Sequence, residues 1–530
     1  MIPGREIASE AVQRVIARCR ASSRTSFELV AESIFHERER LLRATHARRA
    51  ASDRAFVDEV ARELGAIGAD GLLEDIVERY AHEIEGHFDP KVYGFATRVL
   101  PFGLTALLNG TRARDALFRV PELRTLDARV SISGETASLA RLAKVGTLVF
   151  TPTHVSNLDS LLFGYSIFRL GLPPVAYGAG LNLFEHRTLG YFMHNLGAYS
   201  VDRSKTDPLY RAVLKEYATV LLERGEHGLF FPGGTRSRSF AVETRLKKGL
   251  LGTTLTAYRN NLVTHKINSK VFVVPATCSY PLVLEGHSLA EEFLLRAGRE
   301  KYVPHEDDGS FDLRFWLSFF EKLLALDAEV HVRFGAAMDP FGNRVDSDGV
   351  SRDPRGRPID PAGYLEQRGV IAEDPARDAA YTEILEREVL RAFQRDNIAQ
   401  PTWALAFAAL EHHRRGREAH NVFRLLRELV RGTRLPIAPV RALFEALIEA
   451  LKQRESAGRV TVGEELRGDP RAAFDRAIAC FATWHKDPVL RVEGDALIVG
   501  EPSLLFYYRN RLEGLGLLSS PNLIPAEVHG

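Results

Sequence analysis

The stretch Thr153-His154-Val155-Ser156-Asn157-Leu158-Asp159 decides how this chain is read. It follows Gly146-Thr147-Leu148-Val149-Phe150, a short apolar run of the kind that forms a sheet strand buried on both faces. Residues 161–170 then have the character of a helix, so His154 belongs at a strand-to-helix turn and Asp159 on the first helical turn. There the carboxylate can orient the imidazole while the other ring nitrogen faces a cleft. That is a positioned general base, suited to taking a proton from an alcohol. A lone His–Asp pair is usually incidental or structural, so its meaning depends on what accompanies it.

Working outward, residues from about 111 to 345 alternate β-like and helical runs. The β-like runs are 147–150, 175–177, 198–201, 228–231, 271–275 and 329–334, and helical stretches lie at 157–170, 207–224 and 312–326. This alternation predicts an α/β domain with a largely buried central sheet. Residues 1–110 read as helices, because Phe56, Val57, Val60, Ala61 and Leu64, then Leu72, Leu73, Ile76, Val77 and Tyr80, recur at helical spacing opposite charged faces. Residues 346–361, rich in Gly, Pro, Asp and Arg, mark a loop or junction. Residues 362–530 are expected to be mainly helical, through 383–394, 403–413 and 440–451. A short hairpin is expected around Glu493-Gly494-Asp495, with a last helix at 503–512.

The composition narrows the class. With 530 residues, 45% hydrophobic and 26% charged, this is the profile of a globular protein with room for roughly two to four domains. A net charge of +1 gives no electrostatic case for nucleic acid, and none is expected as a partner. Cys19, Cys278 and Cys480 are far apart without metal-ligand spacing, as in a cytoplasmic protein with reduced thiols. The start, Met1-Ile2-Pro3-Gly4-Arg5-Glu6, lacks the basic-then-apolar order of a signal peptide. No run reaches the ~20 apolar residues of a membrane span. The nearest, 99–108 and 161–184, are core segments or candidates for shallow insertion at a membrane surface.

Three further segments carry chemistry. Gly197-Ala198-Tyr199-Ser200-Val201-Asp202-Arg203 is a strand ending in a cation. Phe230-Phe231-Pro232-Gly233-Gly234-Thr235-Arg236-Ser237-Arg238-Ser239 is an apolar strand running into a turn with two arginines and several hydroxyls. Its glycines permit close backbone approach to a ligand, and its guanidiniums can chelate a phosphate. Lys247 and Lys248 can add a point charge. Residues 271–275 continue to Ser279-Tyr280. Ligands collect outside strand ends in open α/β sheets, so His154, Arg203, Arg236 and Arg238 are expected to converge.

In order and spacing, these four segments resemble the four sequence blocks of the glycerolipid acyltransferase superfamily, above all its glycerol-3-phosphate and dihydroxyacetone-phosphate branch. His154 and Asp159 match its His-x4-Asp block. Pro173-Pro174 and Gly180-Leu181-Asn182-Leu183 match elements between the first two blocks, and Gly197 to Arg203 match the second. Val274-Pro275 with Ser279-Tyr280 match the fourth, and Val332-Arg333-Phe334-Gly335 and Phe506-Tyr507-Tyr508-Arg509-Asn510 are also similar. The likeness is close over 140–345 and loose in the tail.

The resemblance implies a central mixed sheet flanked by helices, with helical N-terminal and mainly helical C-terminal regions. It implies transfer of a fatty acyl group from acyl-CoA or acyl-carrier protein to a hydroxyl of glycerol 3-phosphate, in phospholipid biosynthesis. His154 and Asp159 would be catalytic. Arg203, Gly234, Thr235, Arg236, Ser237, Arg238 and Lys248 would bind the phosphorylated acceptor. No metal or redox cofactor is needed, because the thioester is already activated. Backbone N–H groups near the helix start are expected to stabilise the oxyanion. Because the product is a lipid, attachment to the inner face of the cytoplasmic membrane is expected.

One departure stands out. The family's third block reads Phe-Pro-Glu-Gly-Thr-Arg-Ser-Arg, and this chain has Gly233 in place of the glutamate, with Glu243 ten residues on. Losing an acidic partner from an acceptor site costs ~1–3 kcal/mol, up to about a hundredfold in rate. Other readings therefore stay open: a lysophosphatidate or lysophospholipid acceptor, or a catalytically impaired lipid-binding scaffold. Gly286-His287-Ser288-Leu289-Ala290 approximates a hydrolase nucleophile elbow, against a plain helix start. His412-His413-Arg414-Arg415 reads as a solvated helix face rather than a metal site.

Overall fold

A computed structural model describes residues 4–43, 47–64, 69–97, 129–181, 184, 187–298, 329–483 and 487–519. The apolar stretch 99–108, the Asn182-Leu183 pair and the helix expected at 312–326 lie outside these residues.

Seven strands form the central sheet: β1 (Val130–Gly134), β2 (Gly146–Pro152), β3 (Ala176–Gly180), β4 (Ala198–Val201), β5 (Gly228–Phe230), β6 (Lys270–Ser279) and β7 (Val330–Phe334). Their order is β1-β7-β6-β2-β5-β3-β4. β6, β2, β5, β3 and β4 run parallel, β7 is antiparallel to β6, and β1 is parallel to β7, so the sheet is mixed. β2 is buried along its whole length, which is why it reads as an unbroken apolar run. Its register with β6 runs from Gly146 opposite Lys270 to Pro152 opposite Ala276. Because the five strands are parallel, their carboxyl ends share one edge. The turns that leave that edge carry His154, Arg203, Arg236 and Tyr280.

Before the sheet come α1 (Gly4–Ala21), α2 (Ser26–Leu42), α3 (Ala47–Glu63) and α4 (Ala69–Ile84). α2 starts on a reciprocal cap, with Thr25 and Glu28 each bonding the other's backbone N–H. Within the α/β region lie α5 (Thr136–Val145), α6 (Asp159–Arg169), α7 (Arg187–Asn195), α8 (Pro208–Glu223), α9 (Lys248–Val263) and α10 (Gly286–Gly298). Within segment 161–184, α6 buries Leu162, Phe163 and Ile167 and leaves Phe168 exposed. No helix among the described residues is long and apolar enough to cross a membrane.

Residues 346–361, expected as a loop, contain structure. Arg344–Val345, Ser351–Arg352 and Pro358–Ile359 pair antiparallel, and Asp346 and Asp353 close the turns by accepting backbone N–H groups. Beyond them come α11 (Pro375–Asp396), α12 (Pro401–Arg414), α13 (Val422–Glu428), α14 (Ile437–Ser456), α15 (Glu464–Arg467), α16 (Pro470–Thr483) and α17 (Pro502–Arg509). The expected hairpin is Leu490–Glu493 against Ala496–Val499, joined by Arg434–Pro436 as a third strand. The helix α12 is apolar all round and buried accordingly. Its end corrects the solvated-face expectation: His413 and Arg414 are buried, and Arg414 forks onto both oxygens of Glu411 at 2.9 and 2.7 Å. The core of β2 and β6 runs without a break into α12, α14 and α17.

Candidate active site

The turn after β2 is held by carboxylates. Asp159, fully buried at the start of α6, accepts from His154 Nδ1 (3.0 Å), the backbone N–H of Val155 (2.6 Å) and that of Ser156 (2.9 Å) through Oδ2. Its Oδ1 accepts from the Tyr280 hydroxyl at 2.6 Å. Glu243 accepts the His154 N–H at 2.9 Å, and Glu285 accepts the Asn157 N–H at 2.9 Å and the Ser156 hydroxyl at 2.8 Å. Four successive backbone donors, 154 to 157, are thus taken by protein carboxylates. The loop is an anion nest already filled from within, so these four are not among the N–H groups left to serve an oxyanion.

The ring of His154 lies flat on Phe231, with centroids 4.0 Å apart and planes 16° apart. Its side chain is 12% exposed, and among the described residues no hydrogen bond engages Nε2. Burial lowers the imidazole's proton affinity; Asp159 raises it, and the positive charges of Arg236 and Arg203 lower it again. The net shift is downward, so the ring is neutral, and able to act as a base, at and somewhat below its ordinary titration range.

The arginines gather around this ring. Arg203, at the end of β4, is accessible from solvent yet enclosed by protein at its sides. That enclosure lowers its proton affinity, and the like charges of Arg236 and Arg238 lower it further. Among the described residues it forms no ion pair. Arg236 Nη1 meets Glu285 at 3.2 Å. Arg238 Nε donates to Glu292 at 2.6 Å and its Nη1 to Thr235 Oγ1 at 3.4 Å. The backbone N–H of Ser237 donates to the His154 carbonyl at 2.8 Å, locking the third segment onto the first, while its hydroxyl donates to the Ala241 carbonyl at 2.8 Å. Gly234 adopts φ +80°, where a side chain is strained, and the stem of Lys247 passes against it.

Lys248 is not brought to this cluster. It begins α9, and its ammonium pairs with Glu383 of α11 at 2.7 Å. Lys247, one residue earlier, is the lysine that approaches the third segment. Ser288 lies in the first turn of α10 with its hydroxyl on the Glu285 carbonyl at 3.0 Å, and among the described residues no histidine bonds it. Sequence reasoning missed Glu285, whose carboxyl is pushed up by burial and pulled down by Arg236; it named Glu243, likewise pushed up by burial and opposed by Arg511, without giving it a role. Both lie outside the quoted segments, and only their buried positions mark them. Among the described residues, no three His, Cys, Asp or Glu side chains cluster as a metal site.

Comparison with known proteins gives likenesses in sequence. Residues 135–279 match a family model described as acyltransferase. A glycerol-3-phosphate acyltransferase of Pseudomonas aeruginosa is 27% identical over 472 residues, 85% of this chain and 48% of that protein. Proteins of the same name from Ectopseudomonas mendocina and Haemophilus influenzae are each 33% identical, over 205 and 155 residues, or 38% and 29% of this chain and 22% and 18% of theirs. The chain spans about half the length of the first curated relatives it matches. Fold, motif order and these matches agree that the chain carries an acyltransferase domain, similar to that of proteins named glycerol-3-phosphate acyltransferases.

Proposed function

We propose that this chain transfers a fatty acyl group from a thioester, acyl-CoA or acyl-carrier protein, to a hydroxyl of glycerol 3-phosphate. His154 Nε2 takes the hydroxyl proton as the oxygen attacks the thioester carbonyl. Asp159 holds Nδ1 and balances the imidazolium that forms, and the proton then passes to the leaving thiolate. Arg203, Arg236 and Arg238 hold the acceptor phosphate, with Thr235 and Ser237 shaping the turn, so the reacting hydroxyl is placed rather than found by diffusion. The product is a lipid, and the protein is assigned to the cytoplasmic face of a membrane as a peripheral protein.

The observation that carries this reading is the meeting, at one sheet edge, of a carboxylate-held imidazole with three mutually repelling guanidiniums. Purified protein with radiolabelled acyl-CoA or acyl-carrier protein and a panel of acceptors tests it. Turnover of glycerol 3-phosphate, abolished by His154→Ala, is expected. Turnover only of lysophospholipids would shift the acceptor, and none with any acceptor would overturn the enzyme reading.

A further inference from the structure

Gly233 stands where the family's third block has glutamate, and its backbone does not require glycine, since its φ is not in the left-handed range. What crowds a side chain there is a neighbour. A Cβ built on Gly233 would lie 3.3 Å from Cγ and 3.5 Å from Oε1 of Glu243, its nearest atoms beyond the adjoining residues 232 and 234. A glutamate spans that separation between its own Cβ and its carboxylate. Oε1 is the atom that receives the His154 N–H, at 2.9 Å. The other oxygen, Oε2, has no solvent exposure and no hydrogen-bond partner among the described residues. The segment after the arginines is built to return Glu243 to this point. The Lys247 N–H closes it on the Pro232 carbonyl at 2.7 Å, and Phe240, at φ +67°, buries its ring beneath it.

We propose that Glu243 is the positioning residue for His154, a carboxylate relocated ten residues along the chain, and that Gly233 is glycine because Glu243 fills its side-chain space. The departure from the family pattern is then a carboxylate moved from the acceptor's side of the turn to the His154 N–H. The kinetic consequence rests on the acyl-transfer reading; the structural one does not.

A reciprocal exchange tests this. With glycerol 3-phosphate and acyl-CoA, Glu243→Ala is expected to lower kcat about tenfold to a hundredfold with KM little changed. Glu243→Gln, whose amide oxygen can accept the same N–H, should recover most of that loss. Gly233→Glu alone should lower both turnover and Tm, and the milder Gly233→Ala should lower Tm. Both defects should shrink when Glu243→Gly is added, with Gly233→Glu/Glu243→Gly exceeding either single variant in turnover. Strictly additive effects, or a silent Glu243→Ala, would overturn the proposal. Should the unaltered protein turn over no acceptor, the acyl-transfer reading fails. The Tm cycle still decides: coupling between 233 and 243 supports the exchange and additivity overturns it.

Discussion

Residues 4–97 meet the β3–β4 side of the sheet and α8 through an apolar core of their own overlaid with ion pairs, whereas residues 375–519 share the sheet's central core and add aromatic rings and a buried guanidinium. On the amino-terminal side, Lys205 leaves the turn after β4 and pairs with Glu83 at 2.6 Å and Glu37 at 3.8 Å, its ammonium 4.4 Å from the centre of the Tyr80 ring. Asp207 accepts from Tyr80 at 2.6 Å, and Arg14 and Arg18 reach Glu216 of α8 at 3.2 and 2.8 Å. On the carboxy-terminal side, the ring of Phe240 is caged by Tyr507 (4.8 Å), Trp403 (5.5 Å) and Tyr508 (5.6 Å), with Arg511 above it at 5.3 Å. Trp403 Nε1 donates to the Tyr280 carbonyl at 2.9 Å, and Arg511 Nε to Asn397 at 2.8 Å. The first region grips the turn that bears Arg203. The second forms the floor under the third and fourth segments, and its core is the sheet's own. The carboxy-terminal helices are therefore continuous with the sheet's core, and the amino-terminal bundle is a brace on one edge.

The largest expected effect follows from that floor. Arg511→Met leaves Asn397 and the Phe240 carbonyl without their donor and the buried charges of Glu243 and Asp159 less compensated. We expect a loss of about 3–5 kcal/mol in urea unfolding, together with loss of turnover. A fall confined to stability would place Arg511 outside the site's support.

Acid should separate the regions next. His227 is buried and accepts the Leu148 N–H on Nδ1 at 3.0 Å, and burial lowers its pKa to about 4. The folded state therefore holds it neutral, and its contribution is whole above pH 6.5. As pH falls from 6.5 towards 4 the unfolded chain gains a proton the folded one refuses, so about 3 kcal/mol is lost. In the amino-terminal brace, burial would raise the Asp53 carboxyl, but Arg40, Lys205 and Arg79 outweigh it and hold it low. That contribution is present above the carboxylate's ordinary pKa and goes only as pH falls through the folded value. Unfolding measured from pH 7 to pH 4 should lose stability first through His227, and His227→Gln should flatten that slope. An unchanged slope in the variant would contradict the assignment.

The smallest effect belongs to the brace's solvent side. Arg18, mostly exposed, should cost under about 1 kcal/mol when changed to alanine, less in high salt, with turnover unchanged. A larger loss in turnover would tie the brace to the site more closely than its contacts indicate.

Much of this was legible in the sequence. The apolar runs of β2, β4, β5 and β6 announced themselves because strands buried in a parallel sheet are uninterrupted, and the turns after them carried the His, Asp and Arg residues that the fold brings together. β1 was missed because Val-Ser-Ile-Ser-Gly is short and polar, and α9 because its threonines and asparagines blur the helical period. Lys248 pointed elsewhere since adjacent helix residues face different neighbours, and a spacing cannot say which of Lys247 and Lys248 turns inward. Glu285 and Arg511 were invisible, and the role of Glu243 with them, for a further reason: each works by being buried beside a backbone distant in sequence, which no local pattern encodes.

The central claim is that the guanidiniums around His154 hold the acceptor's phosphate. Calorimetric titration of glycerol 3-phosphate into the protein and into Arg203→Ala tests it most directly. The account predicts an affinity lower by at least about tenfold in the variant. It also predicts that the acid limb of turnover moves to higher pH, since one of the charges depressing His154 is gone. Equal affinity for the two proteins would contradict it.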